Sequence, residues 1–364
     1  MLRVMSIGRF LLIGGVAAMV VSACGGSPTS ATTPSPADVG SGALTGAGAT
    51  FPGPFYLKAF ADYSAQYPQV TVNYQAVGSG AGIKQFQNKT VDFGASDVPM
   101  AAADITTAGG PDSLTQLPTT LGVVAIAFNI SGVDKLSLDG DTLAGIFLGT
   151  IKNWNDPKIA ALNSGVNFPN KTITVVHRSD SSGTTYHFTD YLAKISSDWK
   201  TKTNSPSKAI SWPTGQGASG NQAVAQGITS TDGAIGYVEL AYVVQTGMKQ
   251  ASLKNANGKF VQASVDGATA AAATKPNVSP TDFSITNAAC DACYPIAAFS
   301  WVFLYTNYSD AAKGKAVANL FKWLVTKGQT DGKDLQYAAL PSGVQNYALT
   351  NLKTVKAGGS AVLS

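Results

Sequence analysis

Apolar positions along this chain follow two alternating rhythms. Tyr56, Phe60, Tyr63 and Tyr67 recur at spacings of four, three and four, which places their rings on one face of a helix. Val317, Leu320, Phe321, Leu324 and Val325 repeat that rhythm further on. Between such stretches lie short runs rich in β-branched residues: Val70–Tyr74, Val123–Phe128 and Ile173–Val176, each predicting a strand. Strands alternating with helices predict an α/β architecture with largely parallel sheets. No internal repeat emerges.

The first residues obey a different pattern. Arg3 and Arg9 precede an apolar stretch from Phe10 to Val21, followed by Ser22-Ala23-Cys24. A spanning helix needs about 20 apolar residues, so this shorter stretch behind a basic start predicts a signal peptide over residues 1–23. Its ending, Val21-Ser22-Ala23-Cys24, resembles the lipobox of bacterial lipoproteins, which implies cleavage before Cys24 and lipidation of its thiol. A plain signal peptide with an incidental cysteine is the competing reading. Residues 24–43 are almost entirely Gly, Ser, Thr, Pro and Ala, the composition of a flexible tether. No later stretch is long and apolar enough to span a bilayer.

Composition narrows the remaining options. At about 150 residues per domain, 364 residues suit two lobes or one large domain. Only 13% of residues are charged while 45% are hydrophobic, which opposes wholesale disorder. The 38 glycines and 17 prolines show no three-residue period, excluding collagen. The formal charge of +4 includes two arginines of the leader, so the mature chain is nearly neutral. No Lys/Arg cluster occurs, and nucleic acid is not an expected partner.

The inventory for catalysis is thin. His177 and His187 are the only histidines, and no run of His, Cys, Asp or Glu has metal-ligand spacing, so neither a metal nor another cofactor is expected. Ser182 and His187 lie five apart in one segment, which does not aim an imidazole at a hydroxyl, and no G-x-S-x-G elbow occurs. Gly215-Gln-Gly217-Ala-Ser-Gly220 matches G-x-G-x-x-G, with Glu239 at about the expected distance downstream. Pro213 interrupts the segment before it, and a Gly-rich turn leading into a helix near Asn221 is the preferred reading. Apart from Cys24 there are only Cys290 and Cys293. In an exported chain this pair predicts a small local disulfide; a thioredoxin-like redox role is the alternative, disfavoured by the loop-like surroundings.

Four segments share a pattern in which a strand-like run ends in small polar residues that open a helix. They are Ala49-Thr50-Phe51-Pro52, Val77-Gly78-Ser79-Gly80, Ala95-Ser96-Asp97 with Pro99 suited to a first helical turn, and His177-Arg178-Ser-Asp-Ser-Ser182-Gly183-Thr184. Helix N-termini present backbone N–H groups and a positive dipole end, so they bind anions. Hydroxyls of Thr50, Ser79, Ser182 and Thr184 add donors, and Arg178 can make a bidentate contact to an oxyanion. One such turn alone is an ordinary helix cap. Four in one chain, with an arginine among them, predict an anion cradle.

On these motifs the chain resembles the substrate-binding proteins of bacterial phosphate-specific ABC transporters. The matching stretches are Leu44-Thr-Gly-Ala-Gly-Ala-Thr-Phe-Pro52, Val91-Asp-Phe-Gly-Ala-Ser-Asp97, Arg178-Ser-Asp-Ser-Ser-Gly-Thr184, Gly149-Thr-Ile-Lys-Asn-Trp-Asn-Asp156 and Gly233-Ala-Ile-Gly-Tyr-Val-Glu239. The resemblance covers essentially the whole mature chain. It implies a two-lobed, periplasmic-binding-protein-like α/β fold of type II, each lobe a sheet flanked by helices, with the ligand in the cleft. It divides the chain into a first lobe of residues 44–120 and 296–364 and a second of 121–295, with a hinge near Thr120 and Pro295. It implies that inorganic phosphate is held by Thr50, Phe51 (through its backbone N–H), Ser79, Asp97, Arg178, Ser182, Gly183 and Thr184, with Asp180 fixing the guanidinium. A membrane permease is the implied partner of a lipid-anchored, extracytoplasmic monomer. Two departures stand out: Gly80 occupies a position where many relatives have serine, and Ser181 one where many have glycine.

Asp97 explains itself only if the ligand carries a proton. Hydrogen phosphate can donate one to a carboxylate, whereas sulfate meets unrelieved repulsion. Asp97 therefore separates phosphate from the competing readings of a sulfate or molybdate carrier. A phosphate-ester hydrolase lacks the metal cluster or activated nucleophile it requires, and a surface lipoprotein acting as adhesin or sensor is the remaining alternative.

Overall fold

The computed structural model describes residues 38–363. The leader, Cys24 and residues 25–37 lie outside them. From Val39 onward the chain forms one compact body. Val39 is 8% exposed, Ser41 N–H donates to the Ala312 carbonyl at 3.3 Å, and the first strand begins at Gly42. The last residues expected in the tether therefore belong to the body, anchored by the one apolar side chain of that stretch.

Nine strands make a single sheet: β1 (Gly42–Gly48), β2 (Val70–Ala76), β3 (Phe93–Ser96), β4 (Leu114–Asn129), β5 (Thr174–Arg178), β6 (Gln216–Ala218), β7 (Ala234–Glu239), β8 (Lys249–Gln250) and β9 (Ala297–Tyr305). Their order is β2-β1-β3-β9-β4-β7-β5-β6, with β8 added to β4. Pairing is parallel on the flanks, among β1, β2 and β3 and among β5, β6 and β7. The centre is antiparallel, because β9 runs against both β3 and β4, and β4 runs against β7 and β8. The largely parallel sheet expected from the alternation thus holds only at the flanks. The two long central strands carry the chain between the flanks and enter each against its neighbours.

β4 belongs to both halves. Residues up to Val123 pair with β9, and from Val124 onward the strand pairs with β7. The predicted strand Val123–Phe128 is therefore the second half of a 16-residue strand. Its first half was masked by polar residues that the fold buries with partners: Gln116 Oε1 accepts from Met100 N–H at 2.6 Å, and Thr119 Oγ1 donates to the Ser300 carbonyl at 3.2 Å.

Helices cover the sheet with their apolar faces. In α1 (Gly53–Gln66) the buried set is Phe55, Tyr56, Ala59, Phe60 and Tyr63, the face that the periodicity predicts. Phe60 meets Tyr74, Phe93 and Phe321 edge-on at 5.7–6.3 Å between centroids. Each such aromatic side chain contributes about 2 kcal/mol of hydrophobic burial. The second predicted face lies on the helix Ala311–Leu324, which buries Val317, Leu320, Phe321 and Leu324.

Four parallel strands lead at their C-terminal ends directly into helices: β1 into α1, β2 into α2 (Ser79–Gln87), β5 into α3 (Gly183–Ile195) and β6 into α4 (Gly220–Ser230). Three of these are turns picked out from the sequence. The fourth is not: β3 ends at Ser96, Asp97 sits in a bend, and the next helix begins only at Ala102, leaving Pro99 outside it. The Gly-rich stretch 215–220 takes the fourth place. Among the described residues no helix is long and apolar enough to cross a membrane.

Candidate functional site

The turn between β1 and α1 is held rigidly from behind. Three consecutive carbonyls, of Ala49, Thr50 and Phe51, accept from the hydroxyls of Tyr74, Tyr242 and Tyr337 at 2.7, 2.7 and 2.6 Å. Burial raises all three phenols above their ordinary range, so they stay protonated donors. With its carbonyls tied back, the turn is fixed ahead of the α1 N-terminus. Tyr242 belongs to helix α5 (Leu240–Thr246), which follows the other half of the sheet.

Arg178 ends β5 and is 2% exposed. Its Nε and Nη2 donate to the two Asp180 oxygens at 2.7 and 2.5 Å, and Nη1 donates to Thr184 Oγ1 at 3.4 Å. Of the five N–H donors of a guanidinium, these contacts engage three, and the Nη1–Nη2 edge retains two for a ligand. Burial pushes the Asp180 carboxyl up, yet the facing guanidinium outweighs it and holds the group below its usual value. Asp180 Oδ1 also accepts from Gly220 N–H at 3.1 Å, joining the turns before α3 and α4.

Ser182 is the N-cap of α3, its Oγ accepting from Thr185 N–H at 3.1 Å. Ser79, at the start of α2, meets it across the cleft. Gly183 N–H donates to Ser79 Oγ at 3.0 Å, and Asp97 N–H donates to the same oxygen at 3.4 Å. Gly183 must be glycine here, since a Cβ would come within 2.5 Å of Asp97 Cβ and Oδ2. Six of the eight expected contact residues thus fall into two hydrogen-bonded groups, Gly183 and Asp97 on Ser79, and Arg178 with Thr184 and, through Asn221, Thr50. The groups meet where Gly183 and Thr184 adjoin at the start of α3, with Ser182 next to them and Phe51 beside Thr50.

Asp97 is 1% exposed, and Ser300 Oγ donates to its Oδ1 at 2.7 Å. Burial raises its carboxyl to about 7, more than the bonds from Ser300 and the Arg178 charge lower it. At neutral pH the group therefore sits at the boundary between accepting and donating a proton. Its backbone is held by His187, whose Nε2 lies 2.7 Å from the Asp97 carbonyl. Burial drops the His187 ring to about 4, and since a carbonyl only accepts, the neutral ring donates from Nε2. His187 thus faces Asp97 and Ser182 faces its own helix, so these two residues do not pair. Among the described residues no group of His, Cys, Asp or Glu could hold a metal ion.

The sequence reading missed three contributors. Asn221 is fully buried and bonds both Thr50 and Thr184. Ser300 lies in an apolar strand that carries no sign of chemistry. Glu239 stands out in the sequence only through its spacing from the Gly-rich stretch and as the end of a matching motif, with no role of its own. It is fully buried, with Oε2 accepting from Ala241 N–H at 2.8 Å and lying 2.9 Å from the Tyr337 hydroxyl, and burial raises it well above the usual carboxylate range.

The two sequence departures prove to be partners in space. Gly80 N–H donates to the Ser181 carbonyl at 2.9 Å, and a Cβ on Gly80 would fall 2.4 Å from Ser181 Cβ. A serine at 80 and a serine at 181 exclude one another in this arrangement. Cys290 and Cys293 are disulfide-bonded, away from these residues. A groove of ≈ 610 Å³ beside the site, lined by Pro54, Leu57, Gln222 and Tyr242 among others, has no charged side chain and offers an oxyanion nothing comparable.

Comparison with known proteins places this arrangement. The PBP superfamily domain model matches residues 28–326. The phosphate-binding protein PstS of Xylella fastidiosa strain 9a5c is 41% identical over 316 residues, covering 86% of this chain and 85% of that protein. The PstS of Pasteurella multocida strain Pm70 is 43% identical over 308 residues, covering 83% and 87%. Among solved structures, a phosphate-binding protein from Stenotrophomonas maltophilia shares the fold with a TM-score of 0.66 at 21% identity, over 85% of this chain and 93% of that one. The high-affinity periplasmic phosphate-binding protein PfluDING, solved with phosphate, shares it with a TM-score of 0.67 at 22% identity, over 86% and 99%.

Proposed function

The chain belongs to the PBP superfamily and, within it, to the family of the phosphate-binding proteins PstS, and on that premise we propose that it captures inorganic phosphate outside the cytoplasmic membrane and delivers it to an ABC importer. One observation carries the reading to this chain's own residues. A buried arginine with two N–H groups to spare stands within electrostatic reach of a buried carboxylate raised to about 7. The arginine supplies countercharge, and the carboxylate accepts a proton that hydrogen phosphate has and sulfate lacks.

The binding residues are Thr50, Phe51, Ser79, Asp97, Arg178, Ser182, Gly183 and Thr184, with Asp180 aligning the guanidinium. Capture proceeds by closure of a first lobe of residues 44–120 and 296–364 onto a second of 121–295, with the hinge where β4 changes partner between Val123 and Val124 and where the chain returns into β9. The bonds from Gly183 to Ser79, from Asn221 to Thr50 and from Tyr242 to the Thr50 carbonyl join those lobes, so they belong to the closed form. The protein is a monomer held to the membrane through lipid on Cys24, and its closed form docks on the permease. It is a carrier with no catalytic step.

Titration calorimetry of phosphate-stripped protein with phosphate, sulfate and arsenate tests the reading. Saturable binding of phosphate with no comparable heat from sulfate is expected at pH 8. Absence of phosphate binding would overturn the assignment, and equal affinity for sulfate would overturn the role of Asp97.

A further inference from the structure

Three hydroxyls of the site share a condition that their sequence positions do not reveal. Thr50 Oγ1 accepts from Asn221 N–H at 3.2 Å and from Asn221 Nδ2 at 3.0 Å. Thr184 Oγ1 accepts from Asn221 Nδ2 at 3.2 Å and from Arg178 Nη1 at 3.4 Å. Ser79 Oγ accepts from Gly183 N–H at 3.0 Å and Asp97 N–H at 3.4 Å. A hydroxyl oxygen has two lone pairs and one proton. Where both lone pairs face N–H donors, the group can no longer accept: the Ser79 proton has the Asp97 carboxylate to meet, and those of Thr50 and Thr184 are left to point at whatever occupies the site.

Asn221 dominates this arrangement, because it supplies three of the six N–H contacts. Its orientation is not free to invert. Oδ1 accepts from Glu239 N–H at 3.3 Å, so turning the amide over would set its NH2 against that N–H and its oxygen against the two threonines. Both Nδ2 hydrogens are already engaged, so Asn221 has none left for an anion. The residue is fully buried at the start of α4, and its partner Thr50 comes from the opposite half of the sheet.

We propose that Asn221 is a positioning residue which holds the Thr184 hydroxyl and, on closure, the Thr50 hydroxyl as donors only, and so tunes the site for a ligand whose oxygens are acceptors. This rests on the phosphate-binding reading and deepens it. Before closure the Thr50 hydroxyl is served by water and can point either way. Closure replaces that water by the Asn221 amide, and the reorientation that the ligand would otherwise have to impose is already complete.

A double-mutant cycle tests the idea. In the otherwise native chain, Asn221→Ala should weaken phosphate binding about 30-fold, the size expected when oriented bonds to a charged ligand lose their direction. In a chain already carrying Thr50→Val and Thr184→Val, the same substitution should weaken binding less than about twofold, since no hydroxyl remains to orient. A side chain that merely fills space would give the same loss in both backgrounds, and that additivity overturns the proposal. Should Asn221→Ala fail to fold, Asn221→Leu, which keeps the volume, is read in the same cycle. The native chain is titrated alongside: if it fails to bind phosphate, the functional reading fails, whereas binding with an additive cycle removes the role of Asn221 alone.

Discussion

Asp97→Asn should make the ligand-free protein more stable at alkaline pH, and the size of the effect follows from one group. Burial raises the Asp97 carboxyl from 3.8 to about 7. Between these values the folded protein holds a proton that the unfolded chain has released. Stability from this group is therefore fully present below about pH 4, falls as pH rises, and is lost above about pH 7. A shift of roughly three units at about 1.36 kcal/mol each corresponds to about 4 kcal/mol. Asparagine has no charge to bury, and its Oδ1 can still accept from Ser300. Denaturant unfolding of phosphate-stripped wild type and variant across this range isolates the term, because every other carboxylate cancels in the difference. The gap between the two proteins should widen in favour of the variant from pH 4 to pH 8, by up to about 4 kcal/mol, the burial of Asp97 in the closed form setting that ceiling. Parallel stability profiles would refute the claim that a buried, reluctant carboxylate stands at position 97.

Three further outcomes are expected. Below about pH 7 a neutral Asp97 can donate to a fully ionised anion, so sulfate affinity should rise by up to about tenfold per pH unit in calorimetry, and a flat profile would separate Asp97 from selectivity. Gly80→Ser forces a Cβ to 2.4 Å from that of Ser181, an overlap typically worth about 1–3 kcal/mol against the closed form. Phosphate affinity should fall accordingly and return in Gly80→Ser with Ser181→Gly; a pair as weak as the single variant would show that the clash is not the cause. Arg178→Lys keeps the charge but cannot span Asp180 and present a second edge, and it should bind phosphate at least about 100-fold more weakly by the same titration. Retained tight binding would show that charge alone suffices.

The features legible in the chain were those written locally. Strand, small polar turn and helix cap lie within about ten residues of one another, and Arg178 to Thr184 carries an arginine, its aligning carboxylate and a cap in one stretch. What escaped depends on pairs far apart. Asn221 meets Thr50 across 171 positions, and Ser300 meets Asp97 across 203. A lone asparagine after a glycine reads as a helix start, and a serine amid Ala297–Tyr305 as strand filler. Asp97 resembles the other turns in sequence and so reads as the opening of a helix, whereas the burial that raises its carboxyl leaves no local pattern. The central antiparallel strands were missed for a related reason, since strand direction is set by the route of the chain between halves and leaves no mark on periodicity.

The closed pairing of Arg178 with Asp180 also bears on how the ligand arrives. A cation 2% exposed and bonded through two nitrogens to a carboxylate casts almost no field into solution. Beyond roughly 10 Å at 0.1 M salt even a bare charge is screened, and this one is cancelled at its source. The encounter therefore draws little electrostatic steering from this pair. To that extent the site's one arginine leaves capture by this scavenger steady as ionic strength changes. For a molecule whose surroundings are not buffered by a cytoplasm, that constancy is itself a working property.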